Sequence, residues 1–186
     1  GVDIVLTCME NHIESANIQR AACEVLVRLF ECCSMDAWTG GVRAFHEFPR
    51  GINAIVAAVQ RYPNDVGVQE AAISTFFPLQ QCAVWNANHT NRRGRYAKFL
   101  MNAGCMPLLF SALERHNTNH DVVIGALTGI HHIVSDERFF SMSYSNHPEY
   151  LRIIANAQGT MARMYPDDIY VCREALFISS RYMFLS

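Results

Sequence analysis

Charge is scarce in this chain. Asp, Glu, Lys and Arg supply 17% of its 186 residues, where soluble domains usually carry roughly 25%. A surface so thinly charged is expected to be sticky, as in a piece of a longer solenoid or a subunit packed into an assembly. The net charge of −2 sets up no global field that would draw in nucleic acid or an anionic membrane. No apolar run reaches the ~18 residues of a membrane-crossing helix. No secretory signal is visible, and the chain does not begin with Met, so its start is expected to be a fragment boundary with any upstream address signal missing.

Catalytic signatures are missing as well. There is no phosphate-binding glycine loop, nucleophile elbow, His-Glu-x-x-His or kinase set, so neither enzyme activity nor a cofactor is expected. Metal-ligand spacing is poor. His116 and His120 are four apart but straddle a turn, and His131 and His132 point to different faces of one helix. Cys32 and Cys33 are adjacent and lack the two-residue gap of a chelating pair. The seven cysteines are odd in number and irregular in spacing, and most fall on apolar helical positions. They read as reduced core thiols of an intracellular protein, with the cytoplasm as the expected location.

What the sequence does have is a repeat. Residues 62–72, YPNDVGVQEAA, return as YPDDIYVCREA at 165–175. HIESANIQRAAC at 12–23 and HNTNHDVVIGAL at 116–127 share the same register. The anchors are Ile18, Val68, Val122 and Val171. After each anchor, apolar positions follow at helical steps of 3 and 4. These are Ala22, Val25 or Leu26, and Leu29; Ala72, Thr75 or Phe76, and Leu79; Ala126, Gly129 or Ile130, and Ile133; Ala175, Ile178 or Ser179, and Tyr182. A second helix precedes each, with inward faces Val2, Val5, Met9; Ile52, Ile55, Val59; Met106, Leu109, Leu113; and Ile154, Ala157, Met161. Pro63 and Pro166 stop the leading helix, and Asn64-Asp65 and Asp167-Asp168 suit the cap of the next. The units run approximately over 1–35, 36–85, 86–138 and 139–186, in one domain. Residues 80–98 and 135–149 form long connectors.

Residues 102–113, NAGCMPLLFSAL, resemble the armadillo stretch in which a Gly joins the first two helices and Pro opens the second. RAACEVLVRL at 20–29 and QEAAISTFFPL at 69–79 resemble the armadillo third helix. HEAT repeats are the nearest alternative and a plain helical bundle is a third. The resemblance implies an all-α fold, a right-handed α-solenoid of about four repeats. Three would be complete, and the first would lack its first helix. Further repeats or a partner subunit are expected to cover the N-terminal end.

The resemblance also implies binding of a partner protein or an extended peptide in the concave groove lined by the third helices. In the peptide-carrying import receptors of this family, Trp and Asn recur along that groove. The corresponding positions here are Glu24 and Arg28, Ser74 and Pro78, Thr128 and His132, and Phe177 and Arg181. The Trp/Asn ladder is absent. Arg28, His132 and Arg181 form instead a row of donors suited to an acidic or phosphorylated peptide. Arg92, Arg93, Arg95 and Lys98 concentrate base in one connector, which would suit RNA or an acidic partner. The remaining reading is a structural subunit buried in a large assembly.

Overall fold

The structure is a computed structural model that describes residues 1–35, 40–76, 78, 100–134 and 148–183. Within these, the side chains of 32–35, 40–48, 132, 148, 151, 175, 179 and 181–183 are not described. The described residues are all helical or turn, with no strand among them. The helices are α1 (Val2–Asn11), α2 (Ala16–Met35), α3 (Gly40–Arg61), α4 (Val66–Ser74), α5 (Cys105–Arg115), α6 (His120–Val134), α7 (Pro148–Met164) and α8 (Ile169–Met183).

The chain turns back at the same place in each unit, for a local chemical reason. Four side chains cap the second helix of each pair, satisfying an amide that the first helical turn leaves orphaned. Ser15 Oγ accepts from the N–H of Ile18 at 3.5 Å, and Asp65 Oδ1 from Val68 at 3.0 Å. Asn119 Oδ1 accepts from Val122 at 2.9 Å, and Asp168 Oδ1 from Val171 at 3.3 Å. The capped amide is in every case that of the apolar anchor. The caps Asp65 and Asp168 agree with the sequence expectation, and Ser15 and Asn119 extend it to the remaining units.

Two glutamines close the same turn from inside. Gln19 Nε2 donates to the carbonyls of Met9 and His12 at 2.8 and 3.0 Å. Gln69 Nε2 donates to those of Val59 and Tyr62 at 2.9 and 3.0 Å. Donors and acceptors in the second set all lie fifty residues beyond their counterparts in the first. Each amide satisfies carbonyls at the C-terminal end of the leading helix, which have no partner within that helix. In the third unit the position is Val123, fully buried, and apolar packing replaces the clamp.

The hairpins α1–α2, α3–α4, α5–α6 and α7–α8 stack in order, forming two layers. In one, α1 touches α3, α3 touches α5, and α5 touches α7; in the other, α2 touches α4, α4 touches α6, and α6 touches α8. The core lies between the layers. Met9, Ile52, Ile55, Val59, Met106, Leu109, Leu113, Ile154, Ala157 and Met161 are buried as the periodicity requires, facing Leu26, Phe76, Ile130 and Ile178. Val2 and Val5 are only partly buried, and Leu6 shares the inward face of α1 with Met9. In α2, Phe30 rather than Leu29 ends the buried stripe.

Among the described residues, a separate short first helix, expected in each complete unit, is seen in the third. There residues 100–102 are helical and Gly104 takes φ 73° before α5 begins. That backbone suits a residue without Cβ. Pro107 then sits in the first turn of α5, where its missing N–H costs nothing. In the second and fourth units the leading helix runs unbroken. Pro49 lies within α3 without ending it, and α7 starts at Pro148, inside what the sequence suggested was connector.

Candidate partner-binding cleft

Successive hairpins are tied by side chains that reach back one unit. Tyr62 Oη donates to the carbonyl of Ile13 at 2.9 Å. His116, at the same place in the next unit, holds the carbonyl of Pro63 through Nε2 at 2.9 Å. A carbonyl only accepts, so Nε2 carries the proton. One residue earlier, Arg61 pairs with Glu14, and Arg115 donates to Asn64 Oδ1 at 2.9 Å. On the odd layer, Arg50 joins α3 to Asp3, Thr7 and Glu10 of α1, and Arg152 joins α7 to Glu114 of α5. The Arg50 guanidinium holds the Glu10 carboxyl below its ordinary range. On the even layer, between α6 and α8, the ties are histidines. His120 Nε2 meets Asp168 and its Nδ1 meets Asp121, while His131 Nδ1 meets the buried Glu174. The Asp168 hydrogen bond, then that of Asp121, raises the His120 pKa, and the same His120 contact lowers that of Asp168.

These ties set the even helices side by side, and a cleft of about 370 Å³ opens across all of them. Val27 and Glu31 of α2, Ser74 of α4, Pro78 beyond it, and Ile124, Gly125 and Thr128 of α6 line it; Asp121 and Tyr170 complete the wall. Gly125 permits the close approach that shapes it: a Cβ there would lie 2.7 Å from Ile73 Cγ2. Thr128 is buried, and its Oγ1 has no hydrogen-bond partner among the described residues. The Ser74 hydroxyl is turned to the carbonyl of Ala71 at 2.9 Å. The lining is mainly apolar, with the carboxylates of Glu31 and Asp121 as its charged groups among the described residues.

Of the positions named from sequence, Ser74, Pro78 and Thr128 come together in this cleft. Glu24, Arg28 and Phe177 do not line it. Glu24 accepts from Arg20 at 2.9 Å, and Arg28 donates to Glu31 at 3.1 Å. Phe177 stacks on His131, ring centres 4.0 Å apart. The side chains of His132 and Arg181, and all of Arg92, Arg93, Arg95 and Lys98, lie outside the described residues. Sequence mapping missed Val27, Glu31, Asp121, Ile124, Gly125 and Tyr170. A signal existed: Gly125, Ile124 and Asp121 stand three, four and seven residues before Thr128, on one helical face.

Among the described residues, nucleophiles and metal ligands do not converge here. Burial pushes the Cys23 and Cys105 thiols up to about 12, which removes their reactive thiolate at neutral pH. His116 and His120 are committed to different neighbours, and no set of three potential ligands gathers among the described residues. Nor is any described helix long and apolar enough to cross a membrane. Compared with known proteins, the chain matches no family model, no curated protein and no solved structure.

Proposed function

We propose that this chain is an armadillo-type α-solenoid whose even-helix face binds a partner polypeptide. One observation carries the reading: an apolar cleft of about 370 Å³ crosses four successive even helices, a size suited to one or two side chains. A groove running across repeats is the surface that stacked hairpins offer to an extended ligand. The Thr128 hydroxyl beneath it, without a partner among the described residues, gives such a ligand a polar atom to meet.

The described charges adjust the expected ligand. Glu31 and Asp121 stand at the cleft, and Arg28 is engaged by Glu31. An apolar side chain flanked by neutral or basic groups suits this place better than an acidic one. An acidic or phosphorylated ligand belongs with His132 and Arg181, further along the same helices.

The test is affinity capture of the partner with the native chain and with Ile124→Glu, a half-buried cleft position. Burying an unpaired carboxylate against an apolar ligand opposes binding strongly. Capture is expected to fall at least tenfold while the helical circular dichroism is kept. Equal capture by both proteins would refute the reading.

A further inference from the structure

The cleft and the junction of α6 with α8 share a residue. Asp121 lines the cleft, and its Oδ1 meets Nδ1 of the neighbouring His120 at 3.1 Å. The other ring nitrogen, Nε2, meets Asp168 Oδ2 at 2.5 Å. One imidazole therefore stands between two carboxylates. A carboxylate only accepts, so both contacts are hydrogen bonds only when both nitrogens carry protons and the ring is a cation. A neutral imidazole has one N–H and one lone pair. Asp168 is then the partner that keeps the proton. It is the closer of the two, its side chain is 20% exposed, and its Oδ1 is fixed by the N–H groups of Tyr170 and Val171 at 2.9 and 3.3 Å. Asp121 is farther away and its side chain is 67% exposed. The Nδ1 lone pair is left facing Asp121 Oδ1, acceptor against acceptor, and the Asp121 charge is released to the cleft.

The groups that face His120 come from three places. Asp168 stands ahead of α8 and Asp121 on its own helix, and the Tyr165 ring at the end of α7 lies edge-on, ring centres 4.8 Å apart. α4 and α5 also pack on α6, and no charge from their described residues acts on the ring. The Asp168 hydrogen bond, then that of Asp121, holds the proton on His120 above the ordinary 6.5. Of the described charged groups lining the cleft, both are carboxylates, so charge complementarity selects a cation there. Asp121 and the apolar Ile124 are three residues apart on one face of α6, about 5–6 Å between Cβ atoms. An extended segment presents side chains two residues apart on one face at a similar spacing, about 6.6 Å.

We propose that His120 competes for Asp121 with a Lys or Arg of the partner, placed two residues from the apolar side chain that enters the cleft, so that the partner binds more tightly once His120 is neutral. The proposal rests on the reading of the cleft as the partner's seat. A partner cation on Asp121 takes away one of the acceptors that hold the His120 proton. Binding and protonation of His120 therefore oppose each other, and affinity rises with pH.

Two probes test it: acetyl-Leu-Gly-Arg-amide, and its citrulline analogue, in which a neutral urea replaces the guanidinium. Binding is read from the Val27 methyl resonances, at the cleft, in weakly acid solution below 6.5 and in mildly alkaline solution. The native chain is expected to bind the arginine peptide roughly threefold more tightly in the alkaline sample, the scale of a surface ion pair, and the citrulline peptide equally in both. His120→Gln has no titrating proton and is expected to bind the arginine peptide equally in both, with its helical circular dichroism kept. An arginine-peptide affinity that ignores pH would overturn the proposal, as would a citrulline peptide that responds as strongly or a pH response that His120→Gln retains. Peptides that leave the methyl resonances unmoved would overturn it too. The citrulline peptide separates this outcome from the fate of the cleft. If Ile124→Glu abolishes its binding, the cleft stands even where the charge competition falls. If Ile124→Glu binds it as the native chain does, the cleft reading falls, and the proposal with it.

Discussion

Gln69 shows how much of this fold hangs on single polar side chains. Its amide serves two carbonyls at the end of α3 and is itself buried. Truncation leaves those acceptors without a protein donor, and a buried unmet group costs ~1–3 kcal/mol. Gln69→Ala is expected to lower the unfolding free energy by about 2 kcal/mol in urea titration. A loss under half a kilocalorie would show that water replaces the clamp. Gly125 tests packing in the opposite sense. Gly125→Ala sets a Cβ 2.7 Å from Ile73 Cγ2, and such overpacking costs about 1–3 kcal/mol. In Ile73→Ala the clashing methyl is gone, so the double variant is expected to be less destabilised than the sum of the singles. Strict additivity would contradict the close approach. Neither role was legible in the sequence. Gln69 stood beside the anchor Val68, but only its three-dimensional relation to the α3 terminus gives it work. Gly125 looked like any helical glycine until α4 was placed against it.

At the scale of elements, the last hairpin keeps one arginine tie, Arg152 to Glu114, and adds histidine ties on the even layer. Arginines tie the second unit to the first, and Arg115 ties the third to the second; α6 meets α8 through His120–Asp168 and His131–Glu174. The His120 pKa lies above its ordinary 6.5, so its contribution is whole below that value and fades as pH rises through the raised one. Asp168 lies below its ordinary 3.8, so its contribution is present above that value and fades as pH falls through the lowered one. The pair therefore supports the α6–α8 contact best in weakly acid solution. Hydrogen exchange in α8 is expected to speed up as pH rises above the ordinary histidine value of 6.5, beyond the intrinsic base-catalysed rise. Asp168→Asn keeps a capping oxygen but removes the charge, and is expected to flatten that excess. An unchanged excess in the variant would assign the effect to another histidine. Helix faces and two of the caps were readable here, because turn chemistry and 3.6-residue periodicity are local. The unbroken α3 and α7 were not, since whether a leading helix breaks depends on packing as well as on a residue such as Gly104.

At the scale of the molecule, a repeated turn in the sequence becomes two layers of helices with one face crossed by a cleft. The registration of Ile18, Val68, Val122 and Val171 carried over into four capped hairpins, because each repeats the same local solution and buries its apolar side on the next. The cleft was legible only in part. Ser74 and Thr128 were found by counting along the helices, while its width depends on α4 and α6 coming together at Gly125. The central claim is that this face holds a partner. Its most direct test replaces Ser74, in the cleft, with a photoreactive benzoylphenylalanine, and in a second protein replaces Glu114, exposed on the odd layer. Both are irradiated in the native cell. The account expects one discrete adduct from the Ser74 position and none from Glu114. An adduct from Glu114 with none from Ser74 would contradict it.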